Sequence, residues 1–428
     1  MTEGLTPEDK ALLSKVIDLA GERARKAPVS RNDGFDRDNE GNILRNHPAN
    51  IRLAIEKLGV SLKQNDFACR IEIAGLPGFG LELTDNASIR LRFLVHESFG
   101  FLPPLQLFEH ALNDVAASNR YHPVRDFLDG LQWDGAPRID TWLQDYAGAA
   151  DTPFIKAVGR TFLVAGVRRI RKPGAKFDTL PVFESRQGMD KSVALRALAT
   201  RDEWFTDNLP LGSSTKEVIE QTQGVWIVEF AELSGIERRD VNHIKNFLSK
   251  QDDRARPAYG RRMETVPRQF IAAGSTNDAQ YLLDMENRRF WPVKIKRFET
   301  AKLSRDVNKL WAEAAHYEAQ GEPITLQEGL WGAAAEEQSA REVESPLKEM
   351  IARRLGREEA GWLPANEVWE ILGVPVSECH RLAKAAGQAM TALGFERKQQ
   401  RSDGDKGRKG ERFYERGDGS AGRFWWRQ

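Results

Sequence analysis

Residues 180 to 199 place a strand, a loop and a helix in immediate succession. Leu180, Val182 and Phe183 are apolar, as a buried strand requires, and Val193 to Ala199 reads as a helix. Between them, Ser185-Arg186-Gln187-Gly188-Met189-Asp190-Lys191-Ser192 is a near miss to the phosphate-binding loop G-x-x-x-x-G-K-[ST]. In such a loop, backbone N–H groups and the helix N-terminus face anionic oxygens. Ser185, Gln187, Gly188, Met189 and Asp190 would line the phosphates of ATP. Lys191 would neutralise β- and γ-phosphate charge, and the Ser192 hydroxyl would help hold Mg²⁺. Two positions depart from the motif: Ser185 replaces the first glycine, and Asp190 replaces the second.

From Phe177 to about Val293, strand-like and helix-like runs alternate, which predicts a mostly parallel, buried sheet. Val225-Trp226-Ile227-Val228 ends in Glu229-Phe230-Ala231-Glu232. An apolar strand that delivers carboxylates at its C-terminal end suits an NTPase, where one acid orients Mg²⁺ and another polarises water. We assign Glu229 to the metal side and Glu232 to the base-like role. Period-two alternation points them to opposite faces unless the strand ends between them. Two solvated acids after a core strand is the plainer alternative. A third run, Phe270 to Ala273, ends in Gly274-Ser275-Thr276-Asn277, and Asn277 is expected to position water between the acids and the γ-phosphate. Arg288 and Arg289 follow, placed to reach the triphosphate of a neighbouring subunit, or else to form a surface pair anchored by Phe290 and Trp291.

The whole chain bounds these readings. Its 428 residues suggest about two to four domains. Lys plus Arg and Asp plus Glu both number 63, so net charge is zero, and 40% hydrophobic content allows ordinary cores. Two cysteines far apart and seven scattered histidines argue against a disulfide framework or a metal cluster. No apolar run approaches a membrane span and no signal peptide is evident, so a cytoplasmic protein without membrane contact is expected. After Gly394, ten Lys and Arg stand against six Asp and Glu.

Five segments are expected. Residues 1–120 form a small mixed α+β region with helices near 6–26, 51–58, 86–99 and 105–119, and a hairpin pairing Arg70–Ile73 with Gly80–Leu83. Residues 121–175 are helical and collar-like, with Arg160, Arg168, Arg169, Arg171 and Lys172 as a basic face. Residues 176–325 hold the α/β ATPase core and 326–345 a linker. Residues 346–428 carry three helices and a basic hairpin, the pattern of a winged helix, able to contact DNA or another protein. The tail from Arg423 is expected to pack back on that domain.

Several stretches run in the order found in one family: Asn119 to Val124, Trp133-Asp134-Gly135, the phosphate loop, Trp226 to Glu229 with Glu232-Leu233, Arg256 to Arg262, Thr276-Asn277, and Asn287 to Pro292. Over roughly residues 119–325 the chain resembles the virulence-associated protein E family of phage and genomic-island proteins, which belongs with the superfamily 3 helicases of the AAA+ class. The resemblance implies a P-loop AAA+ core and a hexameric ring of identical subunits that uses ATP and Mg²⁺ to act on single-stranded or forked DNA during replication, often beside a primase. With no primase pattern in the first 120 residues, the chain is expected to be the helicase part alone. It further implies a basic hairpin entering the ring pore, which Lys250, Arg254, Arg256, Tyr259, Arg261, Arg262 and Arg268 fit, with basic side chains on phosphate and an aromatic on a base. The competing reading is a DNA-binding or interaction protein, a loader or regulator, whose core binds nucleotide poorly because Asp190 repels the triphosphate.

Overall fold

The structure, a computed structural model, describes residues 33–210, 212–233, 238–255, 263–282, 287–342, 346–355, 360–399, 410–417 and 423. The helix expected near 6–26 and the hairpin residues Arg256, Tyr259, Arg261 and Arg262 lie outside the described residues. Among the described residues no helix is long and apolar enough to cross a membrane.

The first described region builds a small sheet from β1 (Ser61–Asn65), β2 (Arg70–Ala74) and β3 (Arg120–Tyr121), in the order β2-β1-β3. Helices Pro48–Lys57, Asp85–Phe99 and Leu105–Ser118 cover it. Ile51, Ile55, Leu62, Ile73, Leu91 and Phe108 share one core, separate from the cores that follow. The expected hairpin is found in short form: the Ile73 amide donates to the Leu81 carbonyl at 2.8 Å and the Leu83 amide to the Ile71 carbonyl at 3.0 Å, around the antiparallel bridge Glu72↔Glu82. The longer partner of β2 is β1, paired antiparallel from Ser61↔Ala74 to Asn65↔Arg70. Leu62 is 1% exposed but Leu81 is 72% exposed, so only the β1 run has an apolar side chain to bury at its centre. The Asn65 side-chain oxygen accepts from the Phe67 and Ala68 amides at 3.0 Å each and closes the turn.

The segment expected to be helical throughout is three helices, Pro123–Asp129, Trp142–Ala147 and Pro153–Arg171. Between the first two, Trp133 Nε1 donates to the Ala136 carbonyl at 3.0 Å and Arg138 grips Asp134 at 2.7 Å, a self-bonded loop in place of helix. The expected basic face is also corrected. Arg160 pairs with Asp140 and Glu322 at 2.8 Å, and Glu318 pairs with both Arg168 and Arg171. Arg169 is buried and spends its donors on the carbonyls of Ala175, Phe270 and Phe177. Burial pushes its guanidinium down to about 10. These cations hold the Pro153–Arg171 helix to its neighbours.

The central sheet takes β4 (Leu180–Glu184), β5 (Phe205–Thr206), β6 (Ile227–Phe230), β9 (Ile271–Thr276) and β10 (Phe290–Lys294), all parallel, in the order β10-β4-β9-β6-β5. β7 (Asp252–Ala255) and β8 (Glu264–Pro267) form a separate antiparallel hairpin. Alternate strand residues feed two layers. Phe183, Ile227, Ile271 and Ala273 face helices Pro153–Arg171, Lys191–Ala199 and Thr300–Ala319 through Phe162, Leu195 and Trp311. Val182, Val228, Phe230 and Ala272 face helices Thr215–Thr222 and Arg238–Ser249 through Val218, Val241 and Ile244. Trp226 stacks on Trp311 with ring centroids 4.1 Å apart. Gly166 must be glycine to allow this, since a Cβ there would lie 2.9 Å from the Trp311 ring.

The expected linker is corrected in part. Residues 331–339 form a helix, Trp331–Ser339, against β10. Gln338 Nε2 donates to the Phe290 carbonyl at 2.8 Å, and Arg341 grips the buried Glu184 carboxylate at 2.8 to 3.1 Å. The C-terminal region has its own core, with Ile351, Leu363, Ile371, Met390 and Phe395. Helices Pro346–Leu355, Glu367–Leu372 and Val376–Ala392 pack on an antiparallel sheet of β11 (Gly361–Pro364), β12 (Glu396–Gln399) and β13 (Arg412–Arg416), in the order β11-β13-β12. Arg423 returns to this region, bridging Trp362 and pairing with Glu367.

Candidate functional site

In a parallel sheet the loops after the C-terminal strand ends gather at one edge. Register places β4, β9 and β6 side by side, with Glu184 opposite Thr276 and Glu229 opposite Ala273. The loop 185–190, Asn277 and Glu229 therefore meet at one rim, with β9 between the loop strand and the acid strand.

The loop turns through Gly188 at φ 77° and Asp190 at φ 61°, both in the left-handed region. Asp190 tolerates that conformation better than most residues. It is also the residue before the helix Lys191–Ala199, yet its side chain makes no capping hydrogen bond there. The helix-start amides are thus not closed off by the carboxylate usual at such a position. Ser185 and Gly188 through Asp190 line a turn whose Gln187 and Gly188 are exposed.

Lys191 crosses back over this turn. Its Nζ donates to Ser185 Oγ at 3.0 Å, the Ser185 carbonyl at 3.2 Å and Asn277 Oδ1 at 2.9 Å. Partial burial lowers its ammonium below the usual lysine value, opposed by the charge of Glu229. Ser192 Oγ donates to Glu229 Oε1 at 2.9 Å, and Ser275 Oγ donates to the same oxygen at 2.6 Å. Glu229 is 1% exposed and its Oε2 is buried without a hydrogen-bond partner. Burial pushes its carboxyl above the usual glutamate value, with the hydrogen bonds from Ser275 and Ser192 working against that. An unpartnered buried carboxylate oxygen beside a serine hydroxyl is an all-oxygen donor set that suits a hard divalent cation.

Of the residues expected in the site, Ser185, Lys191, Ser192, Glu229 and Asn277 come together. Glu232 differs from Glu229 in burial: β6 ends at Phe230, and Glu232 is exposed at φ 53° while Glu229 is buried. The strand does end between the two acids. Arg288 and Arg289 precede β10, where Phe290 pairs with Leu180, so they sit at the opposite edge of the sheet from their own loop. Arg289 pairs with Asp178 at 3.4 Å, and Arg288 is exposed.

The hairpin residues divide. Arg254 is exposed on β7, and Lys250 lies just before it, 3.9 Å from Asp253. Arg268 is corrected: it is 3% exposed and holds Asp253 through two hydrogen bonds of 2.5 and 2.9 Å, closing the base of the hairpin. Two neighbours of the site went unread in the sequence. Ser275 sits two residues after Ala273 on the strand face that buries Ile271, a polar break in an apolar alternation that could have signalled it. Arg297 follows β10 and donates to Asp190 Oδ2 at 2.9 Å.

No curated protein sequence matches the chain. Similar solved structures include "The A form apo structure of NrS-1 C terminal region-CTR", with TM-score 0.45, 12% identity and coverage of 80% of this chain and 87% of that one. Another is "The apo structure of NrS-1 C terminal region", with TM-score 0.44, 13% identity and coverage of 81% and 88%. Likeness at that level bears on neither activity nor partners. The sequence model of the virulence-associated protein E-like domain matches residues 128–343, a span that contains the loop, Glu229, Asn277 and Arg297, and the chain belongs to that family.

Proposed function

We propose that the chain is an ATP-dependent DNA helicase of phage or mobile-element replication, working as a ring of identical subunits. The observation that carries this reading is the convergence of Lys191, Ser192, Glu229 and Asn277 at one edge of a parallel sheet, around a loop with two left-handed residues. On this reading residues 185–192 are a P-loop and the core is of the AAA+ class. The loop and helix-start amides bind the phosphates of ATP, and Lys191 offsets their charge. Asn277, already bonded to Lys191, orients water toward the γ-phosphate. Glu232, exposed at the rim, is the base-like residue. Ser192 and Glu229 would hold Mg²⁺, which when bound supplies charge neutralisation at the phosphate oxygens.

The hairpin β7–β8 presents Lys250 and Arg254 to DNA in the ring pore, with Arg256, Tyr259, Arg261 and Arg262 in the connecting segment. The C-terminal region, read as a winged helix, adds a second DNA contact. Arg288 reaches the ATP of the next subunit, consistent with its distance from the loop of its own chain. A primase or other replication protein is the expected partner. The regulator reading drew on Asp190 as an uncompensated anion, and the ion pair with Arg297 weakens that motive.

The test is strand displacement on a forked duplex with ATP and Mg²⁺. Unwinding by the wild type that is lost in Lys191→Ala, with Arg254→Glu weakening single-stranded DNA binding, supports the helicase. DNA binding with no unwinding and no ATP turnover supports the loader or regulator.

A further inference from the structure

We propose that Arg297 is the counter-charge that lets a phosphate loop containing Asp190 accept a nucleoside triphosphate, and that the two residues form a matched pair setting nucleotide affinity. The inference rests on the nucleotide-site reading above and deepens it.

The loop departs from its motif by an anion in the place of a glycine, directly before the lysine. An uncompensated carboxylate there would oppose every added phosphate charge. The fold places a cation against it. Arg297 Nε donates to Asp190 Oδ2 at 2.9 Å, and its Nη2 lies 2.9 Å from the same oxygen. The guanidinium is largely exposed, so exposure alone would make the contact a weak one. Its backbone, however, is fixed next to the loop on both sides. The Ile295 amide donates to the Glu184 carbonyl at 2.9 Å, and the Phe298 amide donates to the Met189 carbonyl at 3.2 Å. Phe298 is 2% exposed and meets Phe183 edge-on at 5.5 Å. The Lys296 amide donates to the Ala147 carbonyl at 2.9 Å. Arg297 is thus carried on a segment stitched to the end of the strand before the loop and to Met189 within it.

The conformation of Asp190 adds a second, independent sign. A residue at the start of a helix with a carboxylate ordinarily caps the helix amides. Asp190, at φ 61° and ψ 27°, does not. Its charge is turned to Arg297 and away from the amides that a phosphate needs. The pair cancels the Asp190 charge and leaves Lys191 facing the phosphates without a carboxylate from the loop beside it.

The measurement is the affinity of the full chain for Mg²⁺·ATP and Mg²⁺·ADP by calorimetric titration, in wild type, Arg297→Ala, Asp190→Asn, Asp190→Gly and the double variant Asp190→Asn/Arg297→Ala. Thermal melting of each checks that it folds. Arg297→Ala is expected to weaken ATP by about tenfold or more, and ADP by less, since fewer phosphate charges meet the bared carboxylate. Adding Asp190→Asn is expected to recover most of that loss. Unchanged ATP affinity in Arg297→Ala overturns the proposal. So does a double variant as impaired as Arg297→Ala, because Arg297 would then act on the phosphates without Asp190. A wild type that binds no ATP while Asp190→Gly does leaves the nucleotide site standing and overturns the counter-charge. Failure of every variant, Asp190→Gly included, to bind ATP removes the nucleotide reading and this one with it.

Discussion

Ser192 Oγ donates to Glu229 Oε1 at 2.9 Å, joining the first turn of a helix to the end of a strand that is not the neighbour of its own strand in the sheet. The contact exists because β9 lies between β4 and β6 and brings Ser275 to the same carboxylate oxygen. Removing a group that orients a metal-holding carboxylate costs about 10–100-fold in metal affinity. Ser192→Ala is therefore expected to raise the Mg²⁺ concentration needed for ATP turnover by about that factor. Titrating Mg²⁺ at saturating ATP checks it, and an unchanged midpoint would remove Ser192 from the metal side.

Glu229 also predicts a pH dependence. Burial raises its carboxyl above the usual 4.5, so the folded state holds the proton more tightly than the unfolded state. Stability from this group is then full below the unfolded value and is lost as pH rises through the folded value. Glu229→Gln should flatten the fall in stability that sets in as pH rises above the usual 4.5 in metal-free buffer. Chemical denaturation across that range reads it. A wild-type curve that rises with pH over the same window, with the variant parallel to it, would contradict the assignment.

The Arg268–Asp253 pair at the hairpin base is buried on both sides, at 2% and 3% side-chain exposure. Removing one member of a buried pair strands the other and costs about 3–5 kcal/mol. Arg268→Ala is expected to destabilise the chain by about that amount, while Arg254→Ala, on the exposed strand, changes stability little and DNA binding more. Denaturation and single-stranded DNA titration of the two variants separate the roles. Equal stability losses would show that Arg254 too is structural.

Arg288 lies at the sheet edge remote from its own loop, since it precedes Phe290, which pairs with Leu180 at the start of β4. If it serves the next subunit, Arg288→Ala and Lys191→Ala are each inactive alone, yet their mixture regains part of the ATP turnover. In a mixed ring some interfaces combine an intact loop with an intact arginine. A mixture as inactive as its components would exclude a role across subunits.

Much of the site is legible in the sequence because each member ends an apolar run. Lys191 follows Leu180–Phe183, Glu229 follows Val225–Val228, and Asn277 follows Phe270–Ala273. That order alone brings them to one edge of a parallel sheet. What stayed hidden depends on strand order and on single long-range contacts. Ser275 matters only because β9 sits between β4 and β6. Arg297 is one of several cations after β10, and nothing in its neighbours marks it as the partner of Asp190. The 331–342 segment has little apolar patterning, so Arg341 reaching Glu184 over 157 positions left no local trace. The basic residues of the Pro153–Arg171 helix misled in part for the same reason: two of their acids, Glu318 and Glu322, lie about 150 or more positions away.

The central claim is that the rim holding Lys191, Ser192, Glu229 and Asn277 hydrolyses ATP in response to DNA. Phosphate release from ATP, measured with and without single-stranded DNA for the wild type and Lys191→Ala, tests it most directly. The account predicts turnover by the wild type that rises with DNA and is abolished in Lys191→Ala. Turnover that survives in Lys191→Ala, or a folded wild type with none at any DNA concentration, would contradict it.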